Sequence, residues 1–179
     1  AEAGGIEIVA LADPDPQAVA AAAELAPQAT TGGTLGSVLG ARPDGVVIAT
    51  PSALHAGQSV AALQAGATVF CQKPLGRDAV ETASVVEAAQ AADRLLMTDL
   101  SYRHAAAFVA MRDLIRGGEL GHVHAVDLTF HNAYGPDKPW FRDRALSGGG
   151  CLIDLGIHLV DMALWSLDPG ALRCVAAHA

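Results

Sequence analysis

Gly45 to Leu75 reads GVVIATPSALHAGQSVAALQAGATVFCQKPL. The apolar run from Gly45 to Ala49 is rich in β-branched residues and stops at Thr50-Pro51, which predicts a short buried strand. Ala53 to Gln64 is a helical stretch closed by Gly66, and Ala67 to Cys71 is a second apolar run. Strand, helix and strand in this order, with both strands continuously apolar, predict a parallel sheet covered on both faces.

The alternation continues on either side. Ile6 to Leu11 is a further short apolar run; Asp13-Pro14-Asp15-Pro16 ends it and opens a helix over Gln17 to Leu25. Thr30-Thr31 is a minimal strand. Downstream, Asp78 caps a helix running to about Ala92, and Leu95 to Thr98 is the next strand. Then the pattern changes. Ala105 to Arg116 is amphipathic, with Phe108, Met111 and Ile115 on one face, and Gly117-Gly118 stops it. His122 to Asn132 alternates, with Val126, Leu128 and Phe130 on one side, as in an antiparallel strand; Cys174 to Ala177 begins another. The expected division lies near residue 100: a parallel α/β unit over 1–100 and the start of an α+β domain with an antiparallel sheet over 101–179.

Composition narrows the partners. Of 179 residues, 51% are hydrophobic and 17% charged, enough for a sizeable core. The net charge of −8, without a basic cluster, argues against nonspecific nucleic-acid binding. No uninterrupted apolar run approaches a membrane span, and AEAGGIEIVALADPDP is no signal peptide. Cys71, Cys151 and Cys174 are scattered and read as reduced thiols of a cytoplasmic protein.

Ligands of open parallel sheets sit at the carboxyl ends of the strands, and three features fall there. Lys73, ahead of Pro74, is held rigidly at a strand end, where an ammonium can donate to a substrate hydroxyl; the plainer alternative is a solvated turn lysine. Asp13 is placed to accept from the ribose hydroxyls of a dinucleotide, which favours NAD over NADP; helix capping explains it equally well. Thr50, Pro51 and His55 follow the strand that ends at Ala49, and a lone histidine near a helix start is usually a surface or capping residue. A fourth feature is SGGGCLIDLGIHLVDMALW, Ser147 to Trp165. There Asp154, His158, Asp161 and Trp165 share one face of a helix that is apolar nearly all round and therefore expected to be buried. Asp154 and His158, one turn apart, make either a proton-transferring pair or a structural one. No ligand set for a metal accompanies them.

Together these pieces resemble the Gfo/Idh/MocA oxidoreductases, the group of glucose–fructose oxidoreductase and the inositol dehydrogenases. ALADPDPQAVAAAA resembles that family's second strand and following helix. VVIATPSALHAGQSVAALQAGATVFCQKPL resembles the stretch leading into its E-K-P motif, and SGGGCLIDLGIHLVDMALW its G-G-G-x-x-x-D-x-G-x-H-x-x-D motif. The resemblance implies an incomplete Rossmann-type sheet and an NAD-dependent enzyme oxidising a hydroxyl of a sugar or polyol. It implies Lys73 as catalytic lysine, Asp154 and His158 as acid/base pair, and Asp13, Thr50, Pro51, His55, Gln72 and Lys73 along the cofactor. Tyr102-Arg103 falls where the family often places a residue touching cofactor or substrate, and Trp140, Arg142 and Arg144 are candidates for a specificity pocket. A homo-oligomer is implied at the level of the family.

Two departures stand out. Gln72 replaces the usual Glu, which removes a negative charge beside Lys73. The family's opening strand and G-x-G-x-x-G turn, whose backbone amides hold the cofactor pyrophosphate, do not occur. The expectation is a copy truncated at both ends whose missing strand belongs at the centre of the sheet. Three alternatives accompany the dehydrogenase reading: a cofactor-dependent glycosidase of the same family, a sensor that binds dinucleotide without turnover, and an inactive remnant.

Overall fold

The computed structural model of the chain describes residues 5–133, 135–136, 138–170 and 173. Its first part alternates strictly: β1 (Ala10–Ala12), α1 (Pro16–Leu25), β2 (Thr30–Gly32), α2 (Leu35–Gly40), β3 (Gly45–Ile48), α3 (Ser52–Gln64), β4 (Thr68–Gln72), α4 (Ala79–Ala92) and β5 (Leu96–Asp99). Helices α5 (Ala106–Arg116), α6 (Arg144–Ser147) and α7 (Ile157–Leu167) follow. Among the described residues every strand pairing is parallel, in two separate sheets: β1 with β2, and β3-β4-β5.

Local chemistry sets the helix ends. Asp15 caps α1 by accepting from the Gln17 amide at 2.9 Å, with Pro16 in the first turn. Asp78 caps α4 through the Glu81 amide at 2.8 Å, and Glu81 in turn accepts from the Arg77 amide at 2.8 Å. Gly66 leaves α3 at a φ of +88°, a conformation only glycine adopts without strain.

The core lies on one face of the three-stranded sheet. Val46, Ile48, Val69 and Cys71 point to that face and meet Ala56, Ala62 and Leu63 of α3 and Val85 and Ala89 of α4. Fully burying a side chain such as Leu63 or Val85 contributes about 1.5–3 kcal/mol. The opposite face carries the register row Val47–Phe70–Met97, and Val47 is 71% and Met97 48% exposed. The sheet is thus covered on one face among the described residues, not on both.

Other expectations are corrected. Strand β1 is shorter than Ile6 to Leu11, because only Ala10–Ala12 finds a ladder partner. Helix α2 follows β2, with Thr34 as its cap, where no helix was expected. His122 to Asn132 forms no strand: alternation makes a strand only where a second one pairs with it, and none of the described residues does. Cys174 to Ala177 lies outside the described residues.

The Ser147–Trp165 stretch is not one regular helix. Leu152–Gly156 is a π turn between α6 and α7. It is also not buried all round, since Leu152 is 57% and Val160 52% exposed, while His158, Met162 and Ser166 face inward. By length and mean hydropathy (1.4), Arg144–Leu167 could cross a membrane. The π turn interrupts it, and its polar groups pair with residues of other elements.

Candidate active site

Each member of the polar stripe meets a partner from the first hundred or so residues. Lys73, just past the end of β4, donates from Nζ to Asp154 Oδ1 at 2.7 Å and to the Asp154 carbonyl at 2.7 Å. Arg103 makes a two-pronged ion pair with Asp161, whose carboxylate is largely buried. The Arg112 guanidinium lies 4.4 Å from the Trp165 ring centre. The His158 ring stacks on Tyr102, centroids 4.5 Å apart, and Tyr102 stacks in turn on Phe108 and Phe130. The polar groups on α7 and its preceding turn therefore tie this helix to the loop after β4, to the turn after β5 and to α5.

The direct Asp154–His158 contact expected from their spacing is not formed. A π turn carries more residues per turn than an α-helix, so Asp154 is rotated off the i, i+4 line and reaches Lys73 instead. His158 is 8% exposed, and its Nδ1 has no hydrogen-bond partner among the described residues. Burial and, next, the Lys73 charge pull its pKa below the usual imidazole value, against the opposing pull of Asp154, Asp161 and Asp99. The ring is accordingly neutral near pH 7, the form that can accept a proton.

A hollow of about 230 Å³ opens over Lys73 and Asp154. Thr50, Ser52, Gln72, Lys73 and Asp154 line it, and Lys138, Trp140 and Phe141 close it from the other side. Trp140 is thus at the site, whereas Arg142 and Arg144 are not among its lining residues. His158 does not line it either, although it lies within reach of the Lys73 charge. A larger hollow, about 580 Å³, lies beside β5 between Met97, Arg103, Arg112 and Trp165, away from Lys73.

Of the remaining candidates, Thr50, His55 and Gln72 line this hollow, whereas Asp13 and Pro51 are not among its lining residues. Asp13 sits at the carboxyl end of β1, exposed, with Oδ1 accepting from the Asp15 amide at 2.8 Å. The helix cap is Asp15, so Asp13 is not needed as one. Thr50 Oγ1 donates to Gln58 Oε1 at 2.7 Å, and Pro51 precedes α3. Gln72 Nε2 donates to Asp99 Oδ2 at 2.7 Å across β4 and β5. His55 is neither a surface nor a capping residue. It is 1% exposed, and its ring nitrogens lie against the carbonyls of Pro74 (2.6 Å) and Thr50 (2.7 Å), behind the strand-end loop rather than on its surface. Sequence reading passed over Ser52, Asp99 and Lys138, none of which belongs to a recognisable pattern.

An alternating parallel unit with charged side chains gathered at the carboxyl ends of its strands is the arrangement of a Rossmann-type fold, where ligands of such sheets bind. Residues 1–100 match the family model described as an oxidoreductase family with NAD-binding Rossmann fold. Residues 108–179 match the Gfo/Idh/MocA C-terminal domain. The chain belongs to the Gfo/Idh/MocA oxidoreductase family. It is 36% identical over 135 residues to 1,5-anhydro-D-fructose reductase of Ensifer adhaerens, covering 74% of this chain and 40% of the relative. It is 30% identical over 142 residues to D-glucoside 3-dehydrogenase of Escherichia coli (strain K12), covering 79% and 40%. Among solved structures, GenD2 from gentamicin A biosynthesis, in complex with NAD, superposes with a TM-score of 0.83 at 29% identity over 93% of this chain and 48% of that one. A levoglucosan dehydrogenase complex with NADH and levoglucosan gives 0.75 at 25% identity, over 90% and 45%. The chain thus spans 40% of the length of the two curated relatives and 45–48% of the two solved structures.

Proposed function

We propose that the complete protein is an NAD-dependent oxidoreductase that oxidises a hydroxyl of a sugar, polyol or related compound, and that Lys73, Asp154 and His158 are its catalytic residues. The observation that carries this reading is the convergence of Lys73 and Asp154 on one hollow at the end of β4. The hollow has room for a nicotinamide ring but not for a whole dinucleotide, and Thr50, Ser52 and Lys73 offer it hydrogen-bonding groups. Asp13, at the carboxyl end of β1, suits a ribose diol and would repel a 2′-phosphate. These residues fit the cofactor, with NAD preferred to NADP.

Lys73 is held at the substrate oxygen by the carboxylate and carbonyl of Asp154, and its ammonium stabilises the alkoxide as it develops. The neutral His158 ring takes the hydroxyl proton. Bound NAD supplies the acceptor for the hydride leaving the carbinol carbon, so that the substrate loses two electrons and two hydrogens. Asp154 works on Lys73 rather than on the histidine. The net charge of −8 supports a small-molecule substrate over a nucleic-acid or membrane partner. A cytoplasmic homo-oligomer completes the reading.

Absorbance at 340 nm, followed over a panel of sugars and polyols with the complete protein, tests this. Lys73→Ala is expected to lower kcat/KM by about 10²–10³-fold, and His158→Ala by about 10²–10⁴-fold, with NAD affinity retained in both. Undiminished turnover in both variants, or sugar release from a glycoside with no net NADH, refutes the dehydrogenase assignment.

A further inference from the structure

We infer that His55 is a positioning residue for Lys73, acting through the main chain of two strand-end loops; this rests on Lys73 being catalytic. The ring sits between two segments that no strand ladder joins. Thr50 closes the carboxyl end of β3, and Pro74 follows Lys73 at the carboxyl end of β4. Imidazole Nδ1 lies 2.6 Å from the Pro74 carbonyl and Nε2 lies 2.7 Å from the Thr50 carbonyl. Both oxygens are acceptors only and a neutral imidazole carries a single N–H, so the neutral ring donates to one of them, and donation to both takes the doubly protonated ring. With 1% of its surface exposed, water cannot replace it there.

The bridge has a direct consequence for Lys73. Beyond β4 the chain leaves the sheet, and the ammonium is aimed by Asp154 from one side only. The Pro74 carbonyl belongs to the residue after Lys73, and with the Pro74 φ locked by its ring, holding that oxygen restricts the directions in which the lysine can leave the backbone. Thr50 and Ser52 line the same hollow as Lys73, so His55 also fixes the spacing between the lysine and those two residues. His55 is among the residues lining the hollow, but both its ring nitrogens are turned to main-chain carbonyls and offer no group to the reacting atoms. It is therefore distinct from the three catalytic residues.

A double-mutant cycle on the complete protein separates this role from general support of the fold. His55→Ala is expected to lower kcat by about 10- to 100-fold through misplacement of Lys73, with NAD affinity and substrate KM changed less than about threefold. In the Lys73→Ala background, His55→Ala is expected to change the residual kcat less than about twofold, because there is no ammonium left to misplace. His55→Gln, which keeps one donor, is expected to fall between the parent and His55→Ala, and it serves for the cycle should the alanine variant not fold. Additive losses in the cycle, or a His55 variant that keeps full kcat, overturn the inference. If Lys73→Ala alone leaves turnover intact, it is the catalytic reading that fails.

Discussion

His158 and Gln72 show how single side chains at this site depend on what faces them. Imidazole at position 158 has its pKa lowered by burial and by Lys73, so the folded state binds fewer protons than the unfolded chain in the window just below the ordinary value of 6.5. Stability is then full above that value and is lost as the pH falls through the window. Urea titrations at pH 7.5 and pH 5.5 are expected to show this loss, and His158→Phe to shrink it; an equal slope in both proteins means the loss arises elsewhere. Gln72 donates to the Asp99 carboxylate at 2.7 Å. Gln72→Glu, which restores the residue usual in the family, sets two carboxylates against each other and raises the pKa of one of them. The variant is expected to be about 1–2 kcal/mol less stable than its parent at pH 8. The deficit should shrink towards pH 5 as the shared proton binds, and Asp99→Asn should remove it. Thermal unfolding of the three variants checks this, and a pH-independent deficit counts against the pairing. Lys73 and Asp154 were legible in the sequence because each belongs to a dense local motif. The partner Asp99 was not, because nothing local marks a residue that acts 27 positions away; Tyr102 was marked only by the family resemblance, and its stacking on His158 was not legible.

Turns and helix ends were legible where local chemistry sets them and illegible where a distant partner does. Caps at Asp15 and Asp78 follow from side chains two or three residues from the amides they satisfy. The extent of β1 and the failure of His122 to Asn132 to form a strand depend on which other strand is alongside, and no local pattern encodes that. The π turn at Leu152–Gly156 is a similar case, since a continuous α-helix fits the apolar spacing as well. The three glycines before it are not equivalent. Gly148 has a φ of +83°, and a Cβ there would lie 2.7 Å from Arg77 Cγ and 3.2 Å from its Cα. Gly150 has nothing within 4 Å of such a Cβ. Arg77 is itself held, by its ion pair with Glu81 and by donation to the Ala145 carbonyl at 2.9 Å, so it cannot simply swing away. Gly148→Ala is therefore expected to cost about 2–3 kcal/mol and Gly150→Ala no more than about 0.5 kcal/mol. Denaturant titration of both variants measures the difference, and equal costs would mean that the approach of α6 to Arg77 is not what the first glycine serves.

The two faces of the β3-β4-β5 sheet pose the question of what the chain amounts to as an object. Its strands are apolar on both sides, as in sheets packed by helices above and below. One side meets α3 and α4, while Val47 and Met97 lie open on the other. The β1-β2 pair is likewise separate from the larger sheet, and the relatives described above are more than twice as long as the stretch they share with this chain. Adjacent residues of β3 can read out the asymmetry. In the 179-residue chain, Ile48→Ala opens a cavity under α3 and is expected to cost about 2–4 kcal/mol. Val47→Lys changes an exposed position and should cost less than about 0.5 kcal/mol there. In the complete protein the same lysine becomes a test of coverage. If a further helix packs on that face, a charge placed beneath it is desolvated, and the variant should lose about 3 kcal/mol or more. A small cost for Val47→Lys in both proteins would show that the row Val47–Phe70–Met97 stays exposed even in the full-length molecule. A large cost in both would overturn the assignment of faces on which the core of this unit is built.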